Sequence, residues 1–237
     1  MSQLILIITW LVIDPFSYMV RGEGASPASY LNEVKEELKK EWPKNRTINL
    51  VFHGHSVPAG YFKTPVVNTL EAYPYQVLKQ LKAEYPHAVV NIINTSIGGE
   101  DSKKGAARFE TEVLVHRPDV LFIDYALNDR RIGLAEAEKS WREMIGKALQ
   151  KSVKVILLTP SPDQRVNLKD SKNELEAHSL QIRRLAEEFG VGLVDSYAVF
   201  LEKHKTGEKI STYMSQVNHP NEKGHQLIAN EIMKYLR

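Results

Sequence analysis

Five apolar, β-branched runs recur along this chain, at 47–53 (TINLVFH), 88–94 (AVVNIIN), 120–125 (VLFIDY), 153–159 (VKVILLT) and 191–194 (VGLV). Helical periods at 74–85, 134–151, 171–189 and 221–235 lie between and after them, the first with proline in its opening turn. A strand that is apolar at nearly every position is buried on both faces, which is the pattern of a parallel sheet covered by helices. The spacing therefore predicts an α/β fold, a three-layer α/β/α sandwich around a five-stranded parallel sheet. A further helix at 30–42 reads as exposed and amphipathic, ended by Pro43. No internal repeat or linker divides residues 30–237, which read as one domain after an apolar N-terminal segment, 1–29.

In such sheets ligands bind beyond the carboxyl ends of the strands. After the first strand stands Gly54-His55-Ser56, with a hydroxyl on a glycine-permitted turn. After the second comes Asn94-Thr95-Ser96-Ile97-Gly98-Gly99-Glu100-Asp101, where glycine lets a backbone N–H approach a substrate oxygen. Ala126-Leu127-Asn128-Asp129 follows the third strand and offers a carboxamide donor. His219, in Asn218-His219-Pro220-Asn221, stands at the start of the last helix, where the chain returns to the sheet. Singly, these are ordinary turn and cap residues. Together a serine, a backbone donor, a side-chain amide and a histidine are what acyl transfer requires: attack, proton shuttling and an oxyanion hole.

Other chemistries fit less well. A net charge of +2 leaves no broad basic field for nucleic acid. Zero cysteines exclude thiolate catalysis, disulfides and cysteine-ligated zinc. No Gly-x-Gly-x-x-Gly or P-loop is present, and Gly54-His55-Ser56-Val57-Pro58 lacks the second glycine of a nucleophile elbow. His53-x-His55 matches half of a metal site, which His219 and Asp129 would have to complete, without a supporting spacing. The run 4–13 (LILIITWLVI) is too short to span a bilayer and has the length of a signal-peptide core, although no Lys or Arg precedes it. Export to the periplasm or outside is the expectation, with a cytoplasmic protein as the alternative and no stable membrane insertion.

From residue 48 to the C-terminus, the four strand-end segments resemble the SGNH hydrolases, or GDSL-type esterases. The resemblance implies a flavodoxin-like fold, Ser56 as nucleophile, His219 as base, and an oxyanion hole from Ser56, Gly99 and Asn128, with no cofactor and no metal. His55 stands where the family has aspartate, and Ala126 where it has glycine. The triad aspartate three residues before the histidine is here Gln216. Gln216 can accept the ring N–H through its carbonyl oxygen but cannot neutralise an imidazolium. Three readings remain: a Ser56–His219 dyad oriented by a backbone carbonyl or by Gln216; a rescue by Asp129 or Asp195; or a site that binds an ester or glycan without turnover.

Esterase action on short acyl groups is the expected function. With no long apolar lid in the sequence, the family's carbohydrate acetylesterases are the nearest match. A lysophospholipase or thioesterase is the alternative, and a non-catalytic glycan-binding relative is a third, for which Tyr61, Phe62, Tyr73 and Tyr75 would supply stacking faces.

Overall fold

In the structure, a computed structural model, residues 24–237 are described. The apolar run at 4–13 lies outside them. Five strands, β1 (Thr47–Gly54), β2 (Val89–Asn94), β3 (Val120–Asp124), β4 (Lys154–Leu158) and β5 (Gly192–Val194), form one sheet in the order β2-β1-β3-β4-β5. Every pairing in it is parallel. The chain steps from β1 to one side and then returns past it to β3, so the strand order reverses at β1, which is where open α/β sheets place their ligands.

Alternation along the strands divides the core. Leu50, Phe52, Phe122, Ile156 and Leu158 face one side, where they meet α1 (Asn32–Leu38), α3 (Tyr73–Glu84) and the last helix, Glu222–Leu236. Val51, Leu121, Ile123, Val155 and Leu157 face the other, against α4 (Ser102–Ala107), α5 (Phe109–Glu112), α7 (Gly133–Gln150) and α8 (Glu174–Phe189). One-turn helices, α2 (Ser56–Ala59) and α6 (Ala126–Asp129), follow β1 and β3 directly. After β5 come α9 (Ser196–Lys205), an antiparallel pair of short strands, β6 (Met214–Gln216) and β7 (His219–Pro220), and the last helix, α10.

Several elements differ from the sequence expectation. Helix α1 covers seven residues and buries Leu31, Val34 and Leu38 in the core, so the segment is not a freely exposed helix. Strand β2 is half-exposed because it is the sheet edge, and its Asn91 bonds to Asn49 across the pair. Helices α4 and α9 begin at Asp101 and Asp195, whose carboxylates accept from Lys104 and Ala198 N–H. The cap at Asp195 is what its residue type suggests at the end of the fifth strand, whereas α4 is too short to show a period.

Three of the buried imidazoles are pushed far below the usual histidine range. Burial, with the Arg108 guanidinium adding to it, takes His53 down to about 3. Burial takes His225 to about 3 and, beside Arg130, His178 to about 4. In the unfolded chain each titrates near 6.5, so the stabilisation is complete above that pH and is lost as pH falls towards the folded values. Asp129 works in the opposite direction, since burial raises it to about 6 from 3.8 and the folded state takes its proton first. One group opposes three, so the urea midpoint is expected to fall between pH 7 and pH 5, by roughly 1.4 kcal/mol per net proton and pH unit. A flat midpoint over that range would mean these imidazoles are not buried as described.

Candidate active site

Ser56 opens α2 at the end of β1, held there by two local devices. Gly54 has no side chain because a Cβ would run into the Asp124 carbonyl of the neighbouring strand. His55 caps α2, its Nδ1 accepting from Val57 N–H at 3.2 Å. That bond leaves Nε2 of His55 facing Asp124, 3.3 Å away, and Asp124 also accepts from Tyr73 Oη at 3.1 Å. The histidine at the family's aspartate position thus faces a buried carboxylate on β3, with no hydrogen bond between the two. His53 lies apart from it, against Phe109 and edge-on to Tyr125, with Nδ1 at 3.0 Å from Thr95 Oγ1. The metal reading of His53-x-His55 finds no support: the two rings engage different partners, and among the described residues no three His, Asp or Glu side chains are grouped to hold an ion.

His219 sits on β7 and is turned to the nucleophile, with Nε2 at 2.9 Å from Ser56 Oγ. These residues are 163 positions apart in sequence. Both are buried to within a few per cent. Burial pulls His219 below its usual 6.5; the Phe62 carbonyl opposes this and His55 adds to it. Nδ1 has two neighbours: the Phe62 carbonyl oxygen at 3.0 Å and the Gln216 amide nitrogen at 2.6 Å. The oxygen of that amide accepts from Thr64 N–H at 3.1 Å. Gln216 therefore presents its donor, not its acceptor, to the ring, contrary to the role expected of it from sequence.

Neither carboxylate considered as a substitute reaches the ring. Asp129 accepts from Ser102 N–H at 2.8 Å and Trp141 Nε1 at 2.7 Å, which fastens α4 to α7. Asp195 caps α9 and binds Arg183 and Thr159. Neither aspartate is therefore placed to complete a triad with His219, whose Nδ1 neighbours are the Phe62 carbonyl and the Gln216 amide.

The donors expected for an oxyanion flank the same sheet end. Gly99 has φ +77°, a left-handed conformation that favours glycine. Its loop is tied to β1 by Ile97 N–H to the Gly54 carbonyl, 3.0 Å. Asn128 donates one amide N–H to the Glu100 carbonyl at 2.8 Å, which fixes its carboxamide and leaves the second N–H available. Among the described residues, Ser56 N–H and Gly99 N–H have no protein acceptor. Beneath the loop, Glu100 takes a two-oxygen grip from Arg108 and a bond from Tyr125 Oη at 2.7 Å, and Arg108 reaches the Thr95 carbonyl at 2.7 Å. Sequence reasoning missed this support, since its members have no common spacing. Of the four aromatics, Phe62 and Tyr73 are core, Phe62 stacked on His225, while Tyr61 is half-buried with its ring 6.2 Å from that of His219.

The sequence model of the GDSL-like Lipase/Acylhydrolase family matches residues 52–227. The chain belongs to that family. It is a serine hydrolase of the SGNH type, and its matched span holds all the strand-end residues described above. Over 174 residues it is 24% identical to an acetylxylan esterase of Geobacillus stearothermophilus, covering 68% of this chain and 79% of the relative. A crystal structure of an acetylxylan esterase from the same organism superposes with a TM-score of 0.70 at 23% identity, over 80% of this chain and 94% of that one. A two-domain esterase active on acetylated mannans gives 0.72 at 23% identity, over 87% of this chain. This GDSL-like hydrolase spans about half of that protein, 52%.

Proposed function

We propose that this hydrolase is an esterase that removes acetyl groups from a carbohydrate through an acyl-enzyme. The 2.9 Å contact between Ser56 Oγ and His219 Nε2 carries the reading. With its proton on Nδ1, donated to the Phe62 carbonyl, the ring has a lone pair on Nε2 for the serine proton. Oγ then bonds to the ester carbon while the carbonyl π pair moves to oxygen, which Ser56 N–H, Gly99 N–H and the free Asn128 N–H stabilise. Collapse of this adduct expels the sugar oxygen, which takes the proton from Nε2. Water, deprotonated by the same nitrogen, releases acetate and restores Ser56.

Carbohydrate acetyl esters are favoured because the relatives are esterases of acetylated xylan and mannan. The test is acetate release from acetylated xylan and mannan, with aryl esters of increasing chain length. Acetyl is expected to be preferred over octanoyl, and the reverse order would point to a lysophospholipase or thioesterase.

The base acts only when neutral. Because His219 is held below 6.5, kcat/KM is expected to rise with pH through a pKa below 6.5 and then level off. A pH–rate profile whose acid limb lies above 7 would contradict that environment.

A further inference from the structure

His219 Nδ1 stands between a group that can only accept, the Phe62 carbonyl at 3.0 Å, and a group that can only donate, the Gln216 amide nitrogen at 2.6 Å. One nitrogen cannot satisfy both. The amide cannot resolve the conflict by turning over, because a backbone N–H, that of Thr64, holds its oxygen at 3.1 Å, and Thr64 Oγ1 accepts from its nitrogen at 3.2 Å. A turned amide would set its NH₂ against the Thr64 N–H.

We propose that Gln216 is a positioning residue that restrains the enzyme: its N–H, aimed at Nδ1, holds the resting imidazole in the tautomer with the proton on Nε2, where the ring cannot take the Ser56 proton. Catalysis proceeds from the other tautomer, with Nδ1–H on the Phe62 carbonyl. The observed rate is then the intrinsic rate scaled by the fraction of rings in that form. The same amide N–H also opposes the imidazolium of the transition state, in which both nitrogens carry protons. This inference rests on the esterase reading for its rate consequences but not for the tautomer itself.

The other groups facing the ring do not supply the missing charge. They are Ser56, the Tyr61 ring, His55 at the end of β1 and His225 on α10. Among the described residues no carboxylate oxygen is in hydrogen-bonding contact with it. A carboxylate of the same length as Gln216 would accept from Thr64 N–H with one oxygen and from Nδ1–H with the other, so Gln216→Glu is the informative variant. Gln216→Leu removes the donor without adding charge.

The experiment combines ¹⁵N NMR of the imidazole, at a pH where it is neutral, with pH profiles of kcat/KM on an aryl acetate. The wild type is expected to show a proton on Nε2 and an unprotonated Nδ1. Gln216→Glu should move the proton to Nδ1, raise kcat/KM by about 10²-fold, within the roughly 10⁴-fold range that an amide in place of the triad acid is known to span, and shift the acid limb upward. Gln216→Leu should move the proton likewise and raise kcat/KM above wild type, by less than Gln216→Glu because it adds no charge. A proton on Nδ1 in the wild type overturns the proposal, as does, where the wild type hydrolyses acetyl esters, a Gln216→Glu enzyme no faster than it. A wild type with the proton on Nε2 that hydrolyses no acetyl ester, even as Gln216→Glu, instead overturns the esterase reading and leaves the tautomer assignment standing.

Discussion

Ser56→Ala is expected to lower kcat for acetyl-ester hydrolysis by about 10⁴-fold or more, equivalent to roughly 5 kcal/mol of transition-state stabilisation. The hydroxyl is the atom that bonds to the acyl carbon, and no other side-chain hydroxyl is hydrogen-bonded to the His219 imidazole among the described residues. His219→Ala is expected to fall nearly as far, and the double variant no further. Groups that act in one step are not additive: once the proton acceptor is lost, the hydroxyl has little left to contribute. Residual rates from the oxyanion donors alone should persist above the uncatalysed reaction. The check is single-turnover hydrolysis of an aryl acetate by all three variants, with circular dichroism to confirm the fold. Equal rates for wild type and Ser56→Ala would exclude the serine mechanism. Clearly additive losses would show that the two residues do not act together.

The second large effect concerns stability and lies under the oxyanion loop. Arg108 and Glu100 form a nearly buried pair, with side-chain exposures of 12% and 7% and their closest approach at 2.5 Å. Arg108→Met is expected to cost about 3–5 kcal/mol, because it leaves a carboxylate in a site from which water is excluded. For a chain of this size that is a fall in Tm of roughly 10 °C or more. Adding Glu100→Gln to Arg108→Met should recover much of the loss, since no uncompensated charge then remains. Activity need not follow stability: Glu100 also supplies the carbonyl that holds Asn128, so the double variant should keep its Tm better than its kcat. Differential scanning calorimetry of the two single variants and the double variant, together with kcat, separates these contributions. A change of less than 1 kcal/mol for Arg108→Met would show that Glu100 is hydrated after all.

The Gln216 position connects chemistry to local structure in the same way. A residue that is a carboxylate elsewhere in the family is here an amide whose oxygen is taken by the backbone of residue 64. The strap from Phe62 to Thr64 therefore does two opposed things: its first carbonyl supports the base, and its last N–H turns Gln216 against it.

How much of this was legible beforehand follows from which interactions leave a local trace. Strand and helix periods are properties of neighbouring residues, so the five-stranded parallel sheet could be read from apolar runs, and the sites of Ser56, Gly99, Asn128 and His219 from the ends of those runs. Strand β2 was read as buried on both faces because periodicity does not report that a strand is at an edge. The pairing of Ser56 with His219 was an inference across 163 residues, resting on the rule that parallel sheets gather function at one end. What only the tertiary structure decided is the surroundings of that pair. The acceptor for His219 is a main-chain carbonyl, a group every residue carries and no sequence can single out. Asp129 and Asp195 were candidates by residue type and were removed by packing, one bound to Trp141 and Ser102, the other to a helix N-terminus and Arg183. Which way the Gln216 amide faces depends on one N–H donated from a loop 152 residues away, and so it was set by the fold and not by the residue.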